Sequence, residues 1–191
     1  QLDEALASYH KALAIKPDYI EAGRNLLFAL LNVPGLSPGE LFAEHLRFSN
    51  NHARNIPCPT KDLTNEPTFD RRLRVGYLSS DFRGHPVGHN ILPLLSSHDR
   101  AKFEIYCYAN VRSPDGITEQ LRSCADHWYT VTGISDAEVA RMIRADCIDI
   151  LVCLAGRYDG NRPLVCAHRA APVQGSYHDG ATSGLEEMDY L

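Results

Sequence analysis

Asp81, His85 and His89 stand close together in Gly76-Tyr-Leu-Ser-Ser-Asp-Phe-Arg-Gly-His-Pro-Val-Gly-His89, where an apolar run gives way to a polar loop. A carboxylate and two imidazoles at that spacing can move a proton, hold a phosphate or a sugar hydroxyl, or ligate a metal. His85 and His89 are four apart, which on a helix puts both on one face. Pro86 and Gly88 between them instead indicate a loop or a helix start, and the absence of H-E-x-x-H argues against a metal. Ser79 and Ser80 lack the G-x-S-x-G elbow of a hydrolase nucleophile. A purely structural role stays open for each histidine, as a cap on the helix that follows.

Two more stretches carry similar residue types: Gly156-Arg-Tyr-Asp-Gly-Asn-Arg162 and His178-Asp-Gly-Ala-Thr-Ser-Gly184. What would bring them together is the set of elements before them. LRVGYLS (73–79), FEIYCYA (103–109), IDILVCL (148–154) and APVQGSY (171–177) are short apolar runs rich in β-branched and aromatic residues, and Tyr129 to Thr132 suggests a further short strand. Helical segments separate them, near His89 to Ser97, Gly116 to Cys124, and Asp136 to Arg144 behind a capping box at Ser135-Asp136-Ala137-Glu138. Such strands, alternating with helices, predict an α/β fold: a parallel sheet in a doubly wound, Rossmann-like unit. Ligands then bind outside the carboxyl ends of the strands, and all three polar loops should emerge there as one site. No G-x-G-x-x-G follows the first strand and no G-x-x-x-x-G-K-[ST] occurs, so neither a nicotinamide nor a P-loop site is indicated.

The chain before residue 70 has a different period. LDEALASYHKALAIK places Leu2, Ala5, Leu6, Tyr9, Ala12 and Leu13 on one helix face, Pro17-Asp18 stops it, and EAGRNLLFALL begins another helix. Ala5, Tyr9, Ala12 and Pro17 fall at the offsets of the second helix of a tetratricopeptide repeat. Leu36-Ser-Pro-Gly-Glu-Leu41 is a helix start with Ser37 as cap, Pro38 first and Glu40 closing a capping box, opening a helix through about Phe48. The reading is therefore a helical repeat end over 1–48, a linker over 49–70 with Pro57, Pro59 and Pro67, and the Rossmann-like unit over 71–191.

Composition narrows the function classes. A net charge of −5 without a basic run longer than Arg71-Arg72 and Arg74 argues against nucleic acid. No apolar run approaches the ~20 residues that span a bilayer, so no membrane partner is expected. Six cysteines with no C-x-x-C pair fit small buried hydrophobes and a reducing, cytoplasmic setting. Gln1 in mid-helix and the plain ending at Leu191 are those expected of a piece of a longer protein.

LRVGYLSSDFRGHPVGHNILPLL, DRAKFEIYCYA, ADCIDILVCLAG, RAAPVQ and ATSGLEEMDYL together resemble the catalytic region of the O-linked N-acetylglucosamine transferase family, which includes the plant SPINDLY proteins. The resemblance implies tetratricopeptide repeats followed by the N-terminal lobe of a GT-B glycosyltransferase, with the C-terminal lobe missing here. It implies an inverting, metal-independent transfer of a sugar from a nucleotide sugar to a Ser or Thr of a protein held by the repeats. The expected donor is UDP-N-acetylglucosamine, and no other cofactor is expected. By motif, His85 and Asp81 are carried over as catalytic, a base and its helper, although a loop histidine can equally hydrogen-bond the diphosphate. Pro86, Val87, His89, Arg157, His178, Asp179, Gly180 and Thr182 are carried over as donor-binding. Gly23-Arg24, Arg157 and the loop after Tyr177 depart from the family pattern. A GDP-fucose donor, or a repeat-based scaffold with a degenerate lobe, stays open as an alternative.

Overall fold

The computed structural model describes residues 1–57, 63–68, 70–156 and 160–191. Three helices lead: α1 (Leu2–Ile15), α2 (Ile20–Leu30) and α3 (Pro38–His52). Strands and helices then alternate as β1 (Leu73–Ser79), α4 (Pro86–Ser97), β2 (Phe103–Ala109), α5 (Gly116–Ser123), β3 (His127–Thr130), α6 (Asp136–Ala145), β4 (Ile150–Leu154), a 3-10 helix (Pro163–His168) and β5 (Val173–Tyr177). All strand pairs are parallel, in the order β3-β2-β1-β4-β5. The predicted α/β class and parallel sheet are thus what the chain forms. From β1 the chain winds outward to β2 and β3, then returns to place β4 on the other side of β1. The loops after β1 and β4 therefore part at a switch point, and a crevice opens between them at the carboxyl edge.

Burial explains why the strands read as continuous apolar runs. The last five residues of both β1 and β2 are buried. On one sheet face Leu78, Tyr108, Leu151 and Cys153 pack with Val139 and Ile143 of α6 and with Leu27 and Phe48 of α2 and α3. On the other, Val75, Tyr77, Ile105 and Cys107 pack with Ile91 and Leu95 of α4 and Leu121 of α5. Each buried Leu or Ile contributes roughly 1.5–3 kcal/mol of transfer free energy, so the two-sided core holds the sheet rigid beneath its loops. By contrast, α1 buries none of its residues. Among the described residues no helix is long and apolar enough to cross a membrane.

Element ends show where local chemistry overrides periodicity. The Ser37 capping box forms as predicted: Ser37 Oγ accepts from Glu40 N at 3.2 Å and a Glu40 carboxylate oxygen accepts from Ser37 N at 2.9 Å. The helix it opens runs on to His52, past Phe48. At α6 only half of the expected box is present: Ser135 Oγ accepts from Glu138 N, while the Glu138 carboxylate turns to Arg141 one turn on. β3 begins at His127, ahead of the predicted Tyr129. It is a partly exposed edge strand, so its apolar signal is weak.

At the amino edge of the sheet, Asp149 anchors the segment entering β1. Its oxygens accept from Arg71 Nη1 and Nη2 at 2.6 and 2.7 Å, from Asn65 Nδ2 at 2.8 Å and from Arg74 N at 2.9 Å. Burial pushes this carboxyl up, but Arg71 and the other donors outweigh burial and hold it below the usual carboxylate range.

Candidate functional site

The loop leaving β1 is built from tight turns. Arg83 N donates to Asp81 O and His85 N to Arg83 O, each at 2.7 Å, before α4 begins at Pro86. α4 thus starts three residues earlier than the sequence indicated. Proline, with its fixed φ and no N–H to satisfy, occupies the first turn, and a histidine acts as the cap. His85 Nδ1 accepts from Val87 N at 3.3 Å, and His89 N donates to His85 O at 3.0 Å. Gly88 seals the turn: a Cβ there would lie 2.1 Å from Arg83 O and 2.8 Å from Asp81 O, so only glycine lets the helix start pass over those carbonyls.

Asp81 is 1% exposed. Its Oδ2 accepts from Asn161 Nδ2 at 2.7 Å, and its Oδ1 lies 3.4 Å from Ser80 Oγ and 3.8 Å from both Arg83 Nη2 and His85 Nδ1. At 3.8 Å there is no hydrogen bond to His85, and His85 Nδ1 already accepts from a backbone amide. In neutral His85 the ring proton therefore sits on Nε2. Asp81 is sealed from a substrate, whereas the Arg83 and His85 side chains, 35% and 34% exposed, face outward. What this loop presents to a ligand is a guanidinium and an imidazole N–H, with a buried carboxylate behind them.

Neighbouring loops hold this arrangement from both sides. Asp115, the cap of α5, accepts from Gly84 N at 2.6 Å as well as from Ile117 N and Thr118 N, and Thr118 Oγ1 donates to Phe82 O at 2.7 Å. The Gly84 amide leads the donors that keep the Asp115 carboxyl below the usual carboxylate range. From the β4 side, Asn161 reaches Asp81 as described, and Asn110 Nδ2 donates to Gly160 O at 2.8 Å. A cleft of about 200 Å³ lies between these loops, lined by Ser80, Arg83, Asn110, Arg112, Ser113 and Gly160. Among the described residues no group of three His, Cys, Asp or Glu side chains is arranged to hold a metal ion.

The residues singled out from the sequence fall into separate groups. Asp81, His85, Pro86 and His89 lie together on the β1 loop and the first turn of α4. Val87 does not join them as a donor-facing group: its side chain is 7% exposed and packs in the core with Phe82 and Ile91. The spacing of that turn points it inward. His178, Asp179, Gly180 and Thr182 form the loop after β5, where His178 takes a left-handed backbone (φ 60°) and its ring meets that of Tyr177 at a tilt, with centroids 4.3 Å apart. Its Nε2 is buried without a hydrogen-bond partner among the described residues. Thr182 Oγ1 accepts from Gly184 N, and Asp179 Oδ2 accepts from Ser176 Oγ at 3.3 Å. Gly184 is seated against His45 O of α3, which ties this loop to the helices. Arg157 lies outside the described residues. Asn161, which the sequence placed only within the 156–162 loop, and Asp115 and Thr118, which it did not mark, do much of the positioning.

Residues 53–191 match the model of glycosyl transferase family 41. The chain belongs to this family. It is 31% identical over 188 residues to a probable UDP-N-acetylglucosamine–peptide N-acetylglucosaminyltransferase SPINDLY of Oryza sativa, covering 96% of this chain and 20% of the rice protein. It is 35% identical over 124 residues to the UDP-N-acetylglucosamine–peptide N-acetylglucosaminyltransferase of Caenorhabditis elegans, covering 63% of this chain and 11% of that one. Among solved structures, an O-GlcNAc transferase mutant of Thermobaculum terrenum superposes with a TM-score of 0.92 at 36% identity, over all of this chain and 37% of the other. The chain spans about a fifth of the length of its SPINDLY relatives. The family and the Rossmann-like lobe expected from the sequence both stand.

Proposed function

We propose that this chain supplies the first lobe of a protein O-glycosyltransferase that moves N-acetylglucosamine from UDP-N-acetylglucosamine to a Ser or Thr hydroxyl, with inversion and without a metal. Residues 71–191 form the lobe, 1–48 the end of a repeat array that presents the acceptor polypeptide, and 49–70 the connection. The observation that carries this reading is the Asp81–His85 loop at the topological switch point, held by caps and a buried amide in a family whose named members use this donor. Transfer needs an oxygen nucleophile at the anomeric carbon and stabilisation of the departing diphosphate. Because Nδ1 of His85 caps α4, Nε2–H is available to donate, which favours hydrogen bonding to the diphosphate over taking the hydroxyl proton. Pro86 and His89 border that position, and His178, Asp179, Gly180 and Thr182 form the far wall.

The test is transfer by the intact gene product with UDP-N-acetylglucosamine and GDP-fucose as competing donors. Incorporation from the first alone supports the reading; incorporation from the second alone replaces the donor, and none from either leaves a scaffold. His85→Asn separates the two roles for the histidine, because its Oδ1 can cap Val87 N and its Nδ2 can donate. It should keep transfer within about tenfold of the parent while His85→Ala loses about 10²-fold or more. Equal losses in the two variants would return His85 to the base role.

A further inference from the structure

Asn161 is as buried as the carboxylate it touches, at 1% exposed, and each end of its amide is used. Oδ1 accepts from Ser80 N at 2.8 Å and from Ser79 Oγ at 3.1 Å, and Nδ2 donates to Asp81 Oδ2 at 2.7 Å. Ser79 Oγ in turn accepts from Asp81 N at 2.9 Å. One side chain thus ties the end of β1, the turn after it and the buried carboxylate to the loop after β4, across the switch point. An amide is the neutral side chain that can accept on one end and donate on the other in a dry site, whereas a carboxylate in its place could not donate.

We infer that Asn161 is a positioning residue: its Nδ2–H holds the Asp81 carboxylate and its Oδ1 fixes the turn that aims Arg83 and His85. The inference rests on the reading above that this loop takes part in sugar transfer. The groups around the Asp81 carboxylate come from two segments. Among the described residues, the charged or titratable groups facing it are Arg83 and His85 from its own loop, each 3.8 Å away. Around it the uncharged donors are Ser80 Oγ from the loop and Asn161 Nδ2 from the β4 side. Of these, Asn161 makes the shortest contact and the only one from another segment.

Asn161→Asp tests the donating end alone, since the oxygens of the introduced carboxyl group can still accept from Ser80 N and Ser79 Oγ. With one proton shared between Asp81 and that introduced group, the pair carries the same charge as the parent and the clamp closes. When that proton leaves, two carboxylates face each other in a buried site and the clamp opens. In the intact gene product, transfer by Asn161→Asp relative to the parent should therefore fall by about tenfold or more as pH is raised from 5 to 9. Asn161→Ala, which has no proton to lose, should show a loss whose ratio to the parent does not fall in this way. Thermal unfolding of each variant is followed at the same pH values. A flat Asn161→Asp ratio, or an unfolding midpoint that drops in step with activity, reduces Asn161 to a structural clamp and overturns the inference. Asp81→Asn is run alongside: full transfer by that variant sinks the role given to the Asp81 loop itself, whereas loss there with a flat Asn161→Asp ratio sinks only the inference about Asn161.

Discussion

Gly88→Ala puts a single methyl group where the β1 loop has no room. The Cβ would sit 2.1 Å from Arg83 O and 2.8 Å from Asp81 O. An ordinary carbon–oxygen approach is about 3.3 Å, so backbone must shift by about 1 Å. Both obstacles are carbonyls in turns closed by 2.7 Å hydrogen bonds, and neither can swing away as a flexible side chain would. Overpacking of this kind costs about 1–3 kcal/mol, while alanine returns up to about 1 kcal/mol of helix propensity. A net loss of about 1 kcal/mol lowers the unfolding midpoint of a chain this size by about 2–4 °C. The same shift carries Asp81, Arg83 and His85 with it, so transfer should fall further than stability. Gly39→Ala is the control: Gly39 lies in the first turn of α3 with nothing within 4 Å of its Cβ position, and there alanine should be neutral or stabilise by up to about 1 kcal/mol. Thermal unfolding by circular dichroism measures both. A Gly88→Ala midpoint at or above the parent's would refute the steric account of this turn.

Two further substitutions test the scaffold. Asp149→Asn should destabilise by about 2–3 kcal/mol, below the full value for a buried pair because Arg71 is partly exposed. Since the Asp149 carboxyl is held below its usual range, its contribution is present above the unfolded value of about 3.9 and is lost as pH falls through the folded one. Denaturant curves of parent and variant should therefore converge in acid, and a gap that persists at pH 2 would contradict this. Tyr108→Phe removes a fully buried hydroxyl that donates to Asp146 Oδ2 at 2.7 Å, at a cost of about 1 kcal/mol in the same assay. Burial followed by Asp146 pushes the Tyr108 phenol far up, so alkaline difference spectra should show it ionising only as the chain unfolds.

The sheet was readable because β1, β2 and β4 are buried on both faces and leave uninterrupted apolar runs, and the Ser37 cap was readable because its partners are three residues apart. The start of α4 was placed near His89, with Pro86 left open between a loop and a helix start, because histidine is not among the usual cap residues and so did not decide for the earlier start. Val87 was assigned by motif to the donor, yet its inward direction follows from where that helix begins. Asn161 could not be singled out from sequence: its partners Ser79, Ser80 and Asp81 lie some 80 residues earlier, and no local pattern marks an amide for that work.

The loop after β4 holds the two halves of the carboxyl edge together, and the topology requires it to. β4 alone pairs with both β1 and β5, so its loop is the one that can reach each neighbour's. It does so at opposite ends. Asn161 grips the β1 loop, while Gly156, with φ 49°, lies against the Asp179 carboxylate so closely that a Cβ would fall 1.9 Å from Oδ2. Through these two contacts β4 and its loop help set the placement of one wall relative to the other. A ligand that spans both walls depends on a buried amide at one end of that loop and on an absent side chain at the other.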